Sequence, residues 1–87
     1  MPNNNYRILV VDDEQDLCEI LKFNLETEGY VVDTVNSAEE ALAEELTKYD
    51  LLLLDVMMGE MSGFALARKL KDNEATTDIP IIFLTAR

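Results

Sequence analysis

Apolar residues recur along this chain in two distinct rhythms. Leu51-Leu52-Leu53-Leu54 is an unbroken run without period-2 alternation, the pattern of a strand covered on both faces in a parallel sheet. Full burial of each leucine contributes about 1.5 to 3 kcal/mol, so this run belongs in the interior. Arg7-Ile8-Leu9-Val10-Val11 is a second such run and predicts the first strand. Tyr30 to Val35, rich in β-branched residues, predicts a shorter strand, and Ile79-Pro80-Ile81-Ile82-Phe83-Leu84-Thr85 predicts a fourth. Pro80 is admissible there because it falls at the strand's beginning.

Helical spacing fills the intervals. Glu14 to Glu28 carries Leu17, Ile20, Leu21 and Leu25 on one face, with acids in its first turn and Gly29 placed to stop it. Asn24 falls within that apolar stripe and requires a polar neighbour that the residues do not identify. Ser37 followed by Glu40 forms a capping box that opens a second helix, whose Ala38, Ala41, Leu42, Leu46 and Tyr49 share a face. Phe64 to Lys71 predicts a third helix with Phe64, Ala67 and Leu70 inward, followed by a polar connection from Asp72 to Asp78. The resulting βαβαβαβ order, with connections long enough for right-handed crossovers, specifies a doubly wound parallel α/β sheet.

Composition narrows the classes. At 87 residues the chain is at most one domain, and its 48% hydrophobic content favours a folded globule. Eighteen acids against seven basic residues give a net charge of -11, which opposes direct binding of nucleic acid or an anionic membrane. One cysteine and no histidine exclude an internal disulfide and a Cys/His zinc site. No stretch is long enough to span a bilayer, and Met1 to Tyr6 is polar, so a cytoplasmic location is the default expectation.

The chemistry gathers at strand ends. The first apolar run stops on Asp12-Asp13 and the leucine run stops on Asp55. In the order 2-1-3-4-5, the first and third strands are neighbours, and ligands bind beyond their carboxyl ends. Three carboxylates there repel one another, and a hard divalent cation is the natural compensation. Oxygen ligands with room for water suit Mg2+. Thr85 adds a hydroxyl on the far side of Asp55, completing a set suited to phosphoryl transfer.

Three stretches, Ile8-Leu9-Val10-Val11-Asp12-Asp13-Glu14, Leu53-Leu54-Asp55-Val56-Met57-Met58 with Met61-Ser62-Gly63, and Phe83-Leu84-Thr85-Ala86-Arg87, resemble the receiver domain of bacterial two-component response regulators. The resemblance implies a flavodoxin-like fold that takes a phosphoryl group from the phosphohistidine of a sensor histidine kinase. It implies Asp55 as phosphoacceptor, Asp13 as a direct Mg2+ ligand and Asp12 as an acid acting mainly through water. Met57 matches the position whose backbone carbonyl completes the metal site, Thr85 the switch hydroxyl, and Ala86 the small residue that leaves the phosphoryl group room. A regulatory role follows, with at most self-phosphorylation and self-dephosphorylation as activity.

Departures from the family pattern carry their own expectations. Gly59 stands where proline is common, which implies a looser turn. Residues 1–87 read as one incomplete receiver, lacking the last helix-strand-helix portion and its lysine, which implies weakened phosphorylation. The fourth strand would then be an exposed apolar edge, expected to associate with another copy or to exchange elements.

Each residue taken alone has a plainer reading. Asp12 or Asp13 serves equally as a helix cap, Asp55 as a loop acid, Thr85 as a β-branched strand residue, and Cys18 as a small core residue. Their joint placement at one sheet edge favours the site. Two other functions remain beside the receiver. A Mg2+-dependent aspartyl-phosphate phosphohydrolase would need an acid two residues after Asp55, where Met57 stands. A phosphorylation-incompetent binding module would keep the fold alone.

Overall fold

The computed structural model describes residues 6–84. Its elements follow the chain as β1 (Arg7–Val11), α1 (Gln15–Thr27), β2 (Val31–Val35), α2 (Ala38–Leu42), a 3-10 turn (Leu46–Lys48), β3 (Leu51–Asp55), α3 (Gly63–Lys71) and β4 (Ile81–Leu84). All strand pairs are parallel, and the sheet order is β2-β1-β3-β4. This is the doubly wound order expected from the alternation of apolar runs and helical spacing.

Alternate residues of β1 feed two cores. Leu9 and Val11 join Leu52, Leu54, Leu66 and Leu70 on the side of α2 and α3, whereas Ile8 and Val10 join Cys18, Val32 and Leu53 on the side of α1. Burial on both faces is why the strand sequences show no alternation. Cys18 is the buried residue of α1, with Leu21 and Leu25 packed partly against the same core.

Three expected faces need correction. In α1, Ile20 is 56% exposed and Phe23 stands out in solvent beside it. Asn24 is exposed too, lining a shallow concavity with Asp16, Glu19, Ile20 and Phe23. Its position within the apolar stripe therefore involves no buried polar contact.

The second helix ends at Leu42, which is exposed, and does not run on to Tyr49. Glu44 and Glu45 follow its last turn, where the dipole disfavours acids, and Glu40 and Glu44 would repel at i,i+4 in a longer helix. Leu46 and Tyr49 still reach the core because a 3-10 turn also returns residues three apart to one side.

In α3 the inward residues are Gly63, Leu66 and Leu70, with Ala67 half-buried. Phe64 is 58% exposed and stacks on Phe83 of β4, ring centroids 4.8 Å apart at 60°. The wheel turns this way because glycine lets the helix's first residue press against the sheet.

The connection to β4 is tied down rather than loose. Thr76 is buried and its hydroxyl donates to the Leu70 carbonyl at 2.6 Å. Lys71 Nζ donates to the carbonyls of Thr77 and Ile79 at 3.0 and 3.1 Å. The strand itself starts at Ile81, after Pro80, whose carbonyl still accepts from Leu52 N–H at 3.0 Å. On β4, Ile82 is 52% and Phe83 38% exposed.

Candidate functional site

Sheet register builds the site. Val11 of β1 lies opposite Leu54 of β3, so the next residue of each strand, Asp12 and Asp55, emerges at the same edge. Asp12 and Asp55 are buried and Asp13 is exposed. One carboxylate oxygen from each of the three lies within 4.8 Å of the others.

Local hydrogen bonds aim these groups. Glu14 N–H donates to Asp12 Oδ1 at 2.8 Å, turning the chain from β1 into α1. Met57 N–H donates to Asp55 Oδ1 at 3.3 Å. Two full charges about 4.8 Å apart repel by roughly 3.5 kcal/mol at an effective dielectric near 20, a figure for the buried Asp12 and Asp55 that solvent reduces for Asp13. An all-oxygen set with one exposed member fits a hard divalent cation that keeps some of its water.

The loop after Asp55 folds back under it. Gly63 N–H donates to the Val56 carbonyl at 2.9 Å, and Ser62 caps α3 by accepting from Ala65 N–H at 3.1 Å. A Cβ on Gly63 would run into the Asp55 carbonyl oxygen and stand 3.2 Å from Val56 Cα. Gly59 adopts φ 23°, a backbone conformation closed to proline, whose ring holds φ near -65°. The turn is therefore built for glycine at this position. Met58 is buried and Met61 half-buried, as packing residues should be, while the Met57 side chain projects into solvent.

Asn36 is a further residue at this edge. Its side-chain amide donates to the Asp12 backbone carbonyl at 2.9 Å. Its only sequence signal is position: Val35 ends β2 opposite Val11, which puts the following residue beside Asp12. Thr85 and Ala86 lie outside the described residues; Leu84, the residue before them, pairs with Asp55.

The family model of the response regulator receiver domain matches residues 8–87. The chain belongs to this family. As a receiver it is 42% identical over 80 residues to the response regulator SaeR of Staphylococcus epidermidis, covering 92% of this chain and 34% of that protein. Among solved structures it is similar to the N-terminal domain of a response regulator receiver protein from Methanoculleus marisnigri JR1. That likeness has a TM-score of 0.88 at 43% identity, over 94% of this chain and 68% of the other. It is similar also to the response regulator protein TrrA of Thermotoga maritima, solved in complex with Mg2+-BeF, with a TM-score of 0.85 at 43% identity over 94% of this chain and 70% of the other. The receiver chain spans about a third of the length of the curated relatives it matches. A receiver is a regulatory domain rather than an enzyme of the usual kind, and the phosphohydrolase and inert-module readings gain no support from these relatives. Among the described residues no helix is long and apolar enough to cross a membrane.

Proposed function

We propose that this chain acts in two-component phosphorelay signalling as the phosphoacceptor, with Asp55 receiving the phosphoryl group from the phosphohistidine of a sensor histidine kinase in the cytoplasm. The observation that carries this reading is the convergence of Asp12, Asp13 and Asp55 within 4.8 Å at one sheet edge. A carboxylate oxygen of Asp55 attacks phosphorus, the P–N bond breaks, and the imidazole leaves with the electron pair. Water then hydrolyses the aspartyl phosphate, returning the carboxylate and inorganic phosphate. Self-phosphorylation from a small phosphodonor follows the same course with a different leaving group.

Asp13, Asp55 and the Met57 backbone carbonyl are the ligands we assign to Mg2+, with Asp12 acting mainly through water. When bound, the cation supplies positive charge against the three carboxylates and the transferring oxygens. Thr85 and Ala86 take the roles of switch hydroxyl and small neighbour, as the resemblance implies. Asp12 is buried and Asp13 exposed, which leaves the cluster open to solvent through Asp13.

Incubating the chain with Mg2+ and acetyl phosphate, followed by intact-mass measurement, tests the assignment. A single phosphoryl adduct that is absent in Asp55→Asn is the expected result. An adduct that survives the substitution would place the acceptor elsewhere, and steady phosphate release would favour the phosphohydrolase.

Association is the second element of the proposal. The exposed rings of Phe83 and Phe64 meet in an apolar patch on one face of β4, with Ile82 exposed on the other face, and this strand is where a second copy of the chain is suited to pack. Nothing in the charge balance favours nucleic acid or membrane as a direct partner.

A further inference from the structure

We propose that Asn36 is a positioning residue of the cation site, acting through the peptide group that joins Asp12 to Asp13. This inference rests on the reading of the acidic cluster as a Mg2+ site.

The geometry is a convergence on one carbonyl. Asn36 Nδ2 donates to the Asp12 carbonyl at 2.9 Å, and Cys18 Sγ donates to the same oxygen at 3.3 Å. Asn36 Nδ2 also lies 3.6 Å from Cys18 Sγ. On the other side of the residue, Asp12 N–H donates to the Val35 carbonyl at 3.2 Å. Donors from α1 and from the segment after β2 therefore clamp a single peptide plane.

That plane sets the backbone from which Asp13 projects. Asp12 is buried, and packing restrains its carboxylate. Asp13 is exposed, and its side chain departs from the far end of the clamped peptide. Rotation of that peptide would swing the Asp13 carboxylate relative to Asp12 and Asp55. Outer partners that orient a metal ligand commonly affect affinity nearly as much as the ligands do.

Asn36 is itself held from behind. Its backbone N–H donates to Glu40 Oε1 at 2.8 Å, while Glu40 N–H donates to Ser37 Oγ at 3.0 Å. The capping box at the start of α2 thus anchors the residue that reaches across to Asp12. The usual box returns the glutamate to the cap residue's own N–H; here it returns to the residue before, the one carrying the amide.

Isothermal titration of the chain with Mg2+, alongside thermal melts, separates positioning from mere stability. Asn36→Ala is expected to weaken Mg2+ binding by roughly tenfold, the low end for outer partners of metal ligands. Thr76→Val, which removes a buried hydrogen bond far from the site, is expected to lower the melting temperature and leave Mg2+ affinity unchanged. Wild-type affinity in Asn36→Ala overturns the proposal. So does an affinity loss that Thr76→Val reproduces at an equal loss of melting temperature. If Asn36→Ala does not fold, Cys18→Ala removes the other donor to the same carbonyl and is expected to shift affinity in the same direction; unchanged affinity there overturns the clamp. No saturable Mg2+ binding by the unsubstituted chain, or equal binding by Asp13→Asn, would overturn the cation reading itself and the proposal with it.

Discussion

Gly63 presses directly on the carbonyl of Asp55, and a Cβ at that position would stand 2.9 Å from the Asp55 carbonyl carbon and overlap its oxygen. The first residue of α3 is thus fitted against the last residue of β3. Backbone, not a flexible side chain, is what an added methyl would meet. Relief would require moving either the strand end that bears Asp55 or the whole helix.

Gly63→Ala is therefore expected to destabilise the fold by about 1 to 3 kcal/mol, the usual range for overpacking. Urea unfolding followed by circular dichroism would measure it. Because the strain falls on Asp55, the adduct formed from acetyl phosphate should decrease as well. Unchanged stability would mean that the end of β3 or the start of α3 shifts freely.

Asp55→Asn should have opposite effects with and without Mg2+. In EDTA, removing one of three neighbouring negative charges is expected to stabilise the chain by about 1 kcal/mol, a fraction of the pairwise repulsion because solvent and the substituted amide offset part of it. In excess Mg2+ the order reverses. A ligand at a hundred times its dissociation constant adds about 2.7 kcal/mol to a chain that binds it, and the variant loses much of that gain. Thermal melts of both proteins across a Mg2+ series would show the crossing; parallel curves would argue against a shared cation.

Tyr49 supplies a pH dependence. Its phenol is buried and donates to Asp33 Oδ2 at 2.8 Å, with Glu44 Oε1 at 3.4 Å. Burial, and then the bond to Asp33 and the two nearby acids, push its pKa far above the ordinary value. A raised folded pKa contributes stability that is complete below the unfolded value of about 10 and is lost as pH rises beyond it. Stability should thus fall steeply above roughly pH 10, where the unfolded chain releases this proton and the folded chain keeps it. Tyr49→Phe should flatten that fall while costing about 1 kcal/mol at neutral pH for the lost hydrogen bond. Denaturant unfolding at pH 7 and pH 11 would distinguish the two proteins, and an equal alkaline loss in both would remove Tyr49 as its source.

The patch at β4 gives a prediction about assembly. Phe83 is partly exposed and packs against Phe64, so Phe83→Asp puts a charge into that apolar pair. Sedimentation velocity over a concentration series should show association in the unsubstituted chain and a monomer in the variant. A monomer in both would exclude this surface as a contact between copies.

Most of the sheet was legible because Ile8 to Val11 and Leu51 to Leu54 are buried on both faces, and such strands have no polar positions to obscure them. The acidic cluster was legible for a related reason: Asp12-Asp13 follow one buried run and Asp55 another, and parallel order brings those two ends together. Helix faces were harder. Phe64 looked inward by hydrophobicity, but the face was set by Gly63, whose lack of a side chain leaves no mark on a wheel. Leu46 and Tyr49 kept helical spacing through a 3-10 turn, so periodicity did not reveal where α2 ends. Ile20 and Phe23 are apolar and exposed, and no local pattern marks a residue that the sheet does not cover. Asn36 escaped notice because its contact with Asp12 depends on strand register, a long-range property.

The order β2-β1-β3-β4 also has a kinetic consequence. Asp12 and Asp55 become neighbours only when β3 docks beside β1, a contact that closes over the intervening α1, β2 and α2. Such a long loop closes late and slowly compared with local contacts. The pocket is thus a clock for folding: Mg2+ added to a refolding chain should leave the early collapse untouched and act mainly by slowing the reverse step, when the two strands part.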